Sequence, residues 1–259
     1  MTWLITEDRG RIRRLTVDRP ERKNAIPFDG WAALTDAFEA FEASEQRVLV
    51  VTGAGGEFCA GADLDPSRID STQSVEDRHS RMKIVGAAAL ALHRLTKPTI
   101  AAVDGVAVGA GLNLALGCDV VIATDRARFS EIFVKRGLTV DFGGSWLLPR
   151  IVGLQRAKEI ALSGRIVPAD EALRIGLITE IVDVDTLESR VTEIANGFLA
   201  GAPVAQMFAK QTLNAAFQVG LADALAWEGE AQSIALGTED AAEGLMAFLE
   251  KRDPEWKGR

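Results

Sequence analysis

The sequence predicts an α/β protein that ends in an all-helical segment, and three observations carry that prediction. Short apolar, partly β-branched runs at 48–52 (VLVVT), 99–103 (TIAAV) and 120–123 (VVIA) have the length and residue types of strands covered on both faces. The first two runs break into glycine-bearing turns and then into helix-forming sequence, which is a strand–turn–helix rhythm. Beyond Asp185 the strand pattern stops, and helical stretches follow at 186–200, 204–219, 221–236 and 239–250. That change of pattern sets an expected division into a core of residues 1–200 and a helical region of residues 201–259.

Taken in order, residues 3–6 and 11–17 predict an opening hairpin around Asp8-Arg9-Gly10, ended by Arg19-Pro20. Pro27 is placed in the first turn of a helix whose Phe28, Trp31, Leu34, Phe38 and Phe41 recur at helical spacing and read as core. Residues 65–77 (DPSRIDSTQSVED) are polar and apolar-poor, and are read as a mobile loop over a cleft. Residues 78–95 predict a helix, and another begins near Gly143. Residues 153–163 and 169–175 predict two more, separated by a break at Gly164 and Pro168, and a short strand follows at 180–184.

Composition narrows the function classes. At 259 residues, with 47% hydrophobic and 25% charged residues, the chain can bury a substantial core. A net charge of −8 argues against general binding of nucleic acid or an anionic membrane. No run approaches the roughly eighteen apolar residues of a membrane span, and the first residues lack the apolar core of a signal peptide, so a cytoplasmic location is expected. Cys59 and Cys118 are read as buried free thiols. His79 and His93 fall in a helical stretch away from the glycine turns, without partners at ligand spacing, so neither a metal site nor a triad base is expected.

The chemistry is expected at two turns. In KPTIAAVDGVAVGAGLNLALGCD (97–119), glycines flank Ala110 where a helix starts, leaving its N–H as one of the orphan donors of a helix N-terminus. In FCAGADL (58–64), Ala62 likewise follows a glycine after a strand. Two amides from separate turns can converge on one oxygen and stabilise an enolate or tetrahedral oxyanion.

These two stretches, spaced about fifty residues apart, resemble the enoyl-CoA hydratase/isomerase (crotonase) superfamily, and the likeness runs from RPERKNAI (19–26) to the AFLEKRDPEWKGR ending. The resemblance implies a spiral of ββα units with a C-terminal helical region that assembles a trimer or a dimer of trimers. It implies an acyl-CoA substrate, with coenzyme A part of the substrate and no separate cofactor. It assigns the amides of Ala62 and Ala110 to the thioester carbonyl, and Ala60, Asp63, Asn113, Phe133 and Lys210 to substrate binding. Lys210 stands where the family often has a lysine near the CoA phosphates, while Asp65 stands where some hydratases carry a CoA-binding lysine.

The resemblance also bears on the reaction. Family hydratases activate water with two glutamates, and here those positions hold Asn113 and Phe133, an amide and an apolar ring. In the stretch GLTVDFGGSWLLPR (137–150), Asp141 matches the proton-moving aspartate of the superfamily's isomerases. Aroyl-CoA dehalogenases carry a nucleophilic aspartate there, eight residues after an aromatic, a spacing that Phe133 and Asp141 reproduce. From the residues alone Asp141 has two readings, proton carrier or N-cap of the helix near Gly143. Burial would raise its pKa and the helix end would lower it. Glu131 is a second candidate carboxylate, read otherwise as a solvated surface glutamate.

The expected function is therefore an enoyl-CoA isomerase working through Asp141. The alternatives are an enoyl-CoA hydratase using Asp141 or Glu131, and a non-catalytic CoA-binding or RNA-binding relative. A dinucleotide site is disfavoured because Leu114 occupies the third glycine's place after Gly109 and Gly111, and a P-loop lacks its lysine.

Overall fold

The computed structural model describes residues 3–64 and 74–259. Strands β1 (Leu4–Arg9) and β2 (Ile12–Val17) form the expected hairpin and open a mixed sheet. The sheet continues in parallel through β3 (Val48–Gly53), β4 (Thr99–Val103), β6 (Val120–Thr124) and β9 (Glu180–Val182), six strands in the order β1-β2-β3-β4-β6-β9. A second sheet holds β5 (Val106–Val108), β7 (Arg128–Ser130) and β8 (Val167–Pro168) in the order β5-β7-β8.

The chain steps from one sheet to the other and then into a helix. After β4, Gly105 turns in the left-handed region at φ +62°, β5 follows, and α3 (Ala110–Leu116) closes the unit. After β6 come β7 and a 3-10 helix at Ile132–Arg136, then α4 (Gly144–Val152). The earlier units use single bridges in place of the second strand, Ile26 with Ala62 and Cys59 with Ala107. These are the turns of a ββα spiral, with α1 (Gly30–Glu42) and α2 (Val75–Arg94) as its earlier helices.

The central strands are buried on both faces because each face has its own cover. Leu49, Val51, Ala101, Val103, Val121 and Ala123 point into the main core with Trp31, Leu34 and Phe38 of α1 and Leu92 of α2. Val48, Val50, Ile100, Ala102 and Ile122 point the other way, onto Val191 and Ala195 of α7 (Leu187–Leu199). Helices α5 (Leu154–Ser163) and α6 (Ala169–Arg174) lead into β9. Helices α8 (Pro203–Ala215), α9 (Leu221–Leu236) and α10 (Glu239–Glu250) complete the chain. Neither α8 nor α9 fully buries a residue, and Leu213, Phe217, Leu221, Leu236, Phe248 and Leu249 are exposed. No helix among the described residues is long and apolar enough to cross a membrane.

Several expectations need correction. Strands β5, β7 and β8 were not expected: at two or three residues they are too short to show an alternation. Pro27 lies before α1, where its carbonyl accepts from the Gly30 N–H, and Phe28 is 43% exposed rather than core. The loop expected at 65–77 falls mainly on residues outside those described. Its last three residues are helical, because Ser74 caps α2 by accepting from the Asp77 N–H at 3.0 Å.

Candidate active site

The two motif turns lie against each other. Cys59 is stitched to β5 by its N–H on the Val106 carbonyl (2.9 Å) and its carbonyl under the Val108 N–H (3.0 Å). Ala60 donates to Lys23, and Asp63 to Ile26. A Cβ added at Gly61, which has φ +87°, would lie 2.7 Å from the Val108 oxygen and 3.4 Å from the Ala110 nitrogen. One at Gly111 would lie 2.2 Å from the Cys59 oxygen. Only glycine permits this approach. Every other amide of 59–63 that carries a hydrogen bond is accounted for, whereas the N–H groups of Ala62 and Ala110 donate to nothing among the described residues. Ala110 is the first residue of α3, as the sequence suggested.

Asp63 is half-buried and its carboxylate takes the Arg19 guanidinium at 2.9 Å, while Arg19 also donates to the Ala25 carbonyl at 2.6 Å. This clamp joins the RPERKNAI stretch to the Ala62 turn and was not foreseen; an arginine and an aspartate 44 residues apart give no local signal.

A second wall, joined to the Ala110 turn through Asn113 of α3, carries carboxyl groups. Asp141 does not cap α4; the cap is Gly143, with no side-chain hydrogen bond. Its main-chain carbonyl accepts from the Gly144 N–H (3.0 Å) and from Asn113 Nδ2 (2.9 Å), while its side-chain Oδ1 has no partner among the described residues. Burial pushes its pKa up to about 6. Phe142 sits at φ +47°, a left-handed conformation that costs a non-glycine residue on the order of 1–3 kcal/mol. Its buried ring packs on Trp31 at 5.6 Å and anchors the strained turn.

Glu131 is not a solvated surface residue. It is fully buried, with Oε2 3.5 Å from Asn113 Nδ2 and Oε1 without a partner among the described residues. Burial, with the nearby Asp141 charge, pushes its pKa up to about 8 against the pull of Asn113. The sequence misleads here because Glu131 follows β7 directly and precedes a 3-10 helix, where no periodicity tells the inside from the outside.

The remaining candidates fall in two groups. Phe133 is buried, and its ring lies 3.5 Å from where a Gly109 Cβ would stand, so it walls the Ala110 turn. Asn113 is buried beneath Gly144, one helical turn after Ala110, and connects the amide wall to the carboxyl wall. Ala60 sits half-buried in the first turn. Lys210 lies further away: it donates to the Lys97 carbonyl (2.9 Å) and pairs with Asp119 (2.7 Å), tying α8 to the start of β4.

A cavity of about 430 Å³ adjoins the Asp141 turn, lined by Phe142, Gly143, Ala89, Leu90, Trp146 and Leu147. A second, of about 530 Å³, shares His93 and Trp146 with it and reaches Arg150 and Lys210. His93, expected to be remote, lies edge-on to Trp146 at 5.0 Å; burial and the Lys210 charge lower its pKa. Cys59 and Cys118 are the expected buried thiols, each pushed up to about 12 by desolvation.

The comparisons agree with this architecture. The family model described as enoyl-CoA hydratase/isomerase matches residues 7–259. A short-chain-enoyl-CoA hydratase of Clostridium acetobutylicum is 38% identical over 96% of this chain and 95% of its own. A 1,2-epoxyphenylacetyl-CoA isomerase of Escherichia coli is 36% identical over the full length of both. The crystal structure of an enoyl-CoA hydratase from Bacillus anthracis superposes with a TM-score of 0.93 at 31% identity, covering both chains completely. The chain is thus an α/β enzyme with the ββα spiral of the crotonase fold. It belongs to the enoyl-CoA hydratase/isomerase family.

Proposed function

We propose that the chain is an enoyl-CoA isomerase that moves a proton along the acyl chain through Asp141. The observation that carries this reading is the Asp141 carboxyl, unpartnered at Oδ1 and raised to about 6, so that near neutral pH it is ionised yet still basic enough to take a carbon-bound proton. The thioester oxygen accepts from the free N–H groups of Ala62 and Ala110. Asp141 removes a proton from the acyl chain, and the electron pair of that C–H bond moves onto the thioester oxygen as an enolate. When the enolate collapses, the same carboxyl returns the proton at a different carbon and the double bond has shifted. Water is not consumed.

Within this reading Ala60 and Phe133 line the acyl-CoA path, Asn113 holds the Asp141 turn, and Asp63 holds the Ala62 turn through Arg19. Lys210 lies towards the CoA end, on the rim of the larger cavity. The acyl chain enters the apolar space beside Phe142 and Trp146. The exposed apolar residues of α9 and α10 support assembly with copies of the same chain, as a trimer or a dimer of trimers, through residues 201–259. In this reading coenzyme A is part of the substrate, the reaction takes no separate cofactor, and the enzyme is cytoplasmic.

A second reading is supported by Glu131, which puts another carboxyl beside Asp141 and would allow the pair to hold a water as a hydratase does. A panel of 2- and 3-enoyl-CoA thioesters separates the two. The isomerase reading expects conjugated product from 3-enoyl thioesters and slow hydration of crotonyl-CoA; fast crotonyl-CoA hydration without isomerisation favours the hydratase.

A further inference from the structure

We propose that Glu131 is a positioning residue for the proton-transfer centre, acting on Asp141 through the side chain of Asn113. The inference rests on the reading of Asp141 as the proton carrier and adds a second buried carboxyl to it.

The geometry leaves Asn113 little freedom. A Cβ at Gly144 would lie 2.3 Å from Nδ2 and 2.5 Å from Oδ1, so the carboxamide is pressed flat against that backbone. Of its two Nδ2 hydrogens, one goes to the Asp141 carbonyl at 2.9 Å and the other faces Glu131 Oε2 at 3.5 Å. Glu131 therefore backs the amide that holds the strained Asp141-Phe142-Gly143 turn, in which Phe142 and Gly143 have φ +47° and +80°.

Charge makes this support dependent on protonation. Among the described residues no cation pairs with Glu131, and Asp141 is the one charged group acting on it. A fully buried carboxyl beside a carboxylate holds its proton into the neutral range. Ionisation at alkaline pH places a second negative charge behind the site where the enolate must form, opposing that enolate, and the charged Oε2 draws the Asn113 amide away from the Asp141 carbonyl. Activity should then rise with pH as Asp141 ionises near 6 and fall as Glu131 ionises near 8.

Two measurements on the full-length protein test this. The first needs no substrate: infrared titration of the protonated-carboxyl band. Wild type should show a band that disappears with a midpoint near 8 and is missing in Glu131→Gln. Its midpoint should fall in Asp141→Asn, which removes the neighbouring charge, and rise in Asn113→Ala, which removes the amide. The second is the pH profile of kcat and KM on whichever 3-enoyl-CoA is turned over. Glu131→Leu should lower kcat by up to about 10²-fold, the scale of an ångström-size misplacement, with KM little changed. Glu131→Gln should recover most of that loss and abolish the alkaline limb. A missing carboxyl band, a midpoint indifferent to Asp141 and Asn113, or an alkaline limb that persists in Glu131→Gln would overturn the inference. If Asp141→Asn keeps full turnover, or no thioester is isomerised, the proposed function fails while the infrared titration still decides whether Glu131, Asn113 and Asp141 are coupled.

Discussion

The two walls of the site are built on opposite principles. In the amide wall, formed by the turns around Ala62 and Ala110, the backbone does the positioning: β-type bridges, two glycines in contact and the Arg19–Asp63 clamp hold turns in which the two motif amides have no acceptor among the described residues. In the carboxyl wall, Asn113 Oδ1, Glu131 Oε1 and Asp141 Oδ1 are all buried without partners among the described residues, and Phe142 is strained. Unsatisfied buried groups are costly, so this wall sacrifices stability for reactivity. On the proposed function, holding a carbonyl oxygen is a fixed task met by main chain, while the choice of proton transfer resides in a few tunable side chains. Relatives bearing hydratase and isomerase names, at 38% and 36% identity, fit that division.

The largest effect is expected at the carboxyl wall. Asp141→Asn keeps shape but cannot accept a proton, so turnover of an isomerised enoyl-CoA should fall by about 10²–10⁴-fold with KM nearly unchanged. At the amide wall, Ala110→Pro deletes one free N–H at the first residue of α3, a position where proline suits a helix. The protein should fold and lose about 10²-fold in kcat, which steady-state kinetics with a matching circular-dichroism spectrum would check. Near-normal activity in that folded variant would remove Ala110 from the site.

Smaller effects sharpen the contrast. Arg19→Met frees Asp63 and loosens the Ala62 turn, so kcat should fall by less than the loss of a donor itself, on the order of tenfold. The carboxyl wall should also show in stability. Glu131 titrates near 8 in the folded chain against an ordinary 4.5, so the native state binds its proton more tightly. That contribution is fully present below about 4.5 and is lost as pH rises through about 8. Thermal midpoints of wild type should therefore decline across that window, and Glu131→Gln should flatten the decline. An equal slope in both would argue that Glu131 is not the group being titrated.

How much of this was legible in the sequence differs between the walls. The amide wall was, because its determinants are local: a buried strand, a glycine and an orphan amide follow one another within a few residues. The helices α7 to α10 were legible within a few residues at their ends for the same reason, long periodic stretches with short breaks. Asp141 could be singled out, but whether burial or the helix end governed it depended on Gly143 taking the cap and on the surrounding core. Glu131 was misread because its environment comes from α3 and the turn before α4, neither adjacent to it in sequence. The Arg19–Asp63 clamp and the placing of His93 against Trp146 are likewise products of tertiary packing.

The central claim is that one carboxyl, Asp141, takes a proton from the acyl chain and gives it back. The most direct measurement follows the label from a 3-enoyl-CoA carrying deuterium at C2 into the conjugated product, for wild type and Asp141→Asn. A single carrier in a buried site should return part of the deuterium to C4 in the wild type, and the variant should form almost no product. Conversion of the labelled thioester by Asp141→Asn at the wild-type rate, or wild-type product with no deuterium at C4, would contradict it.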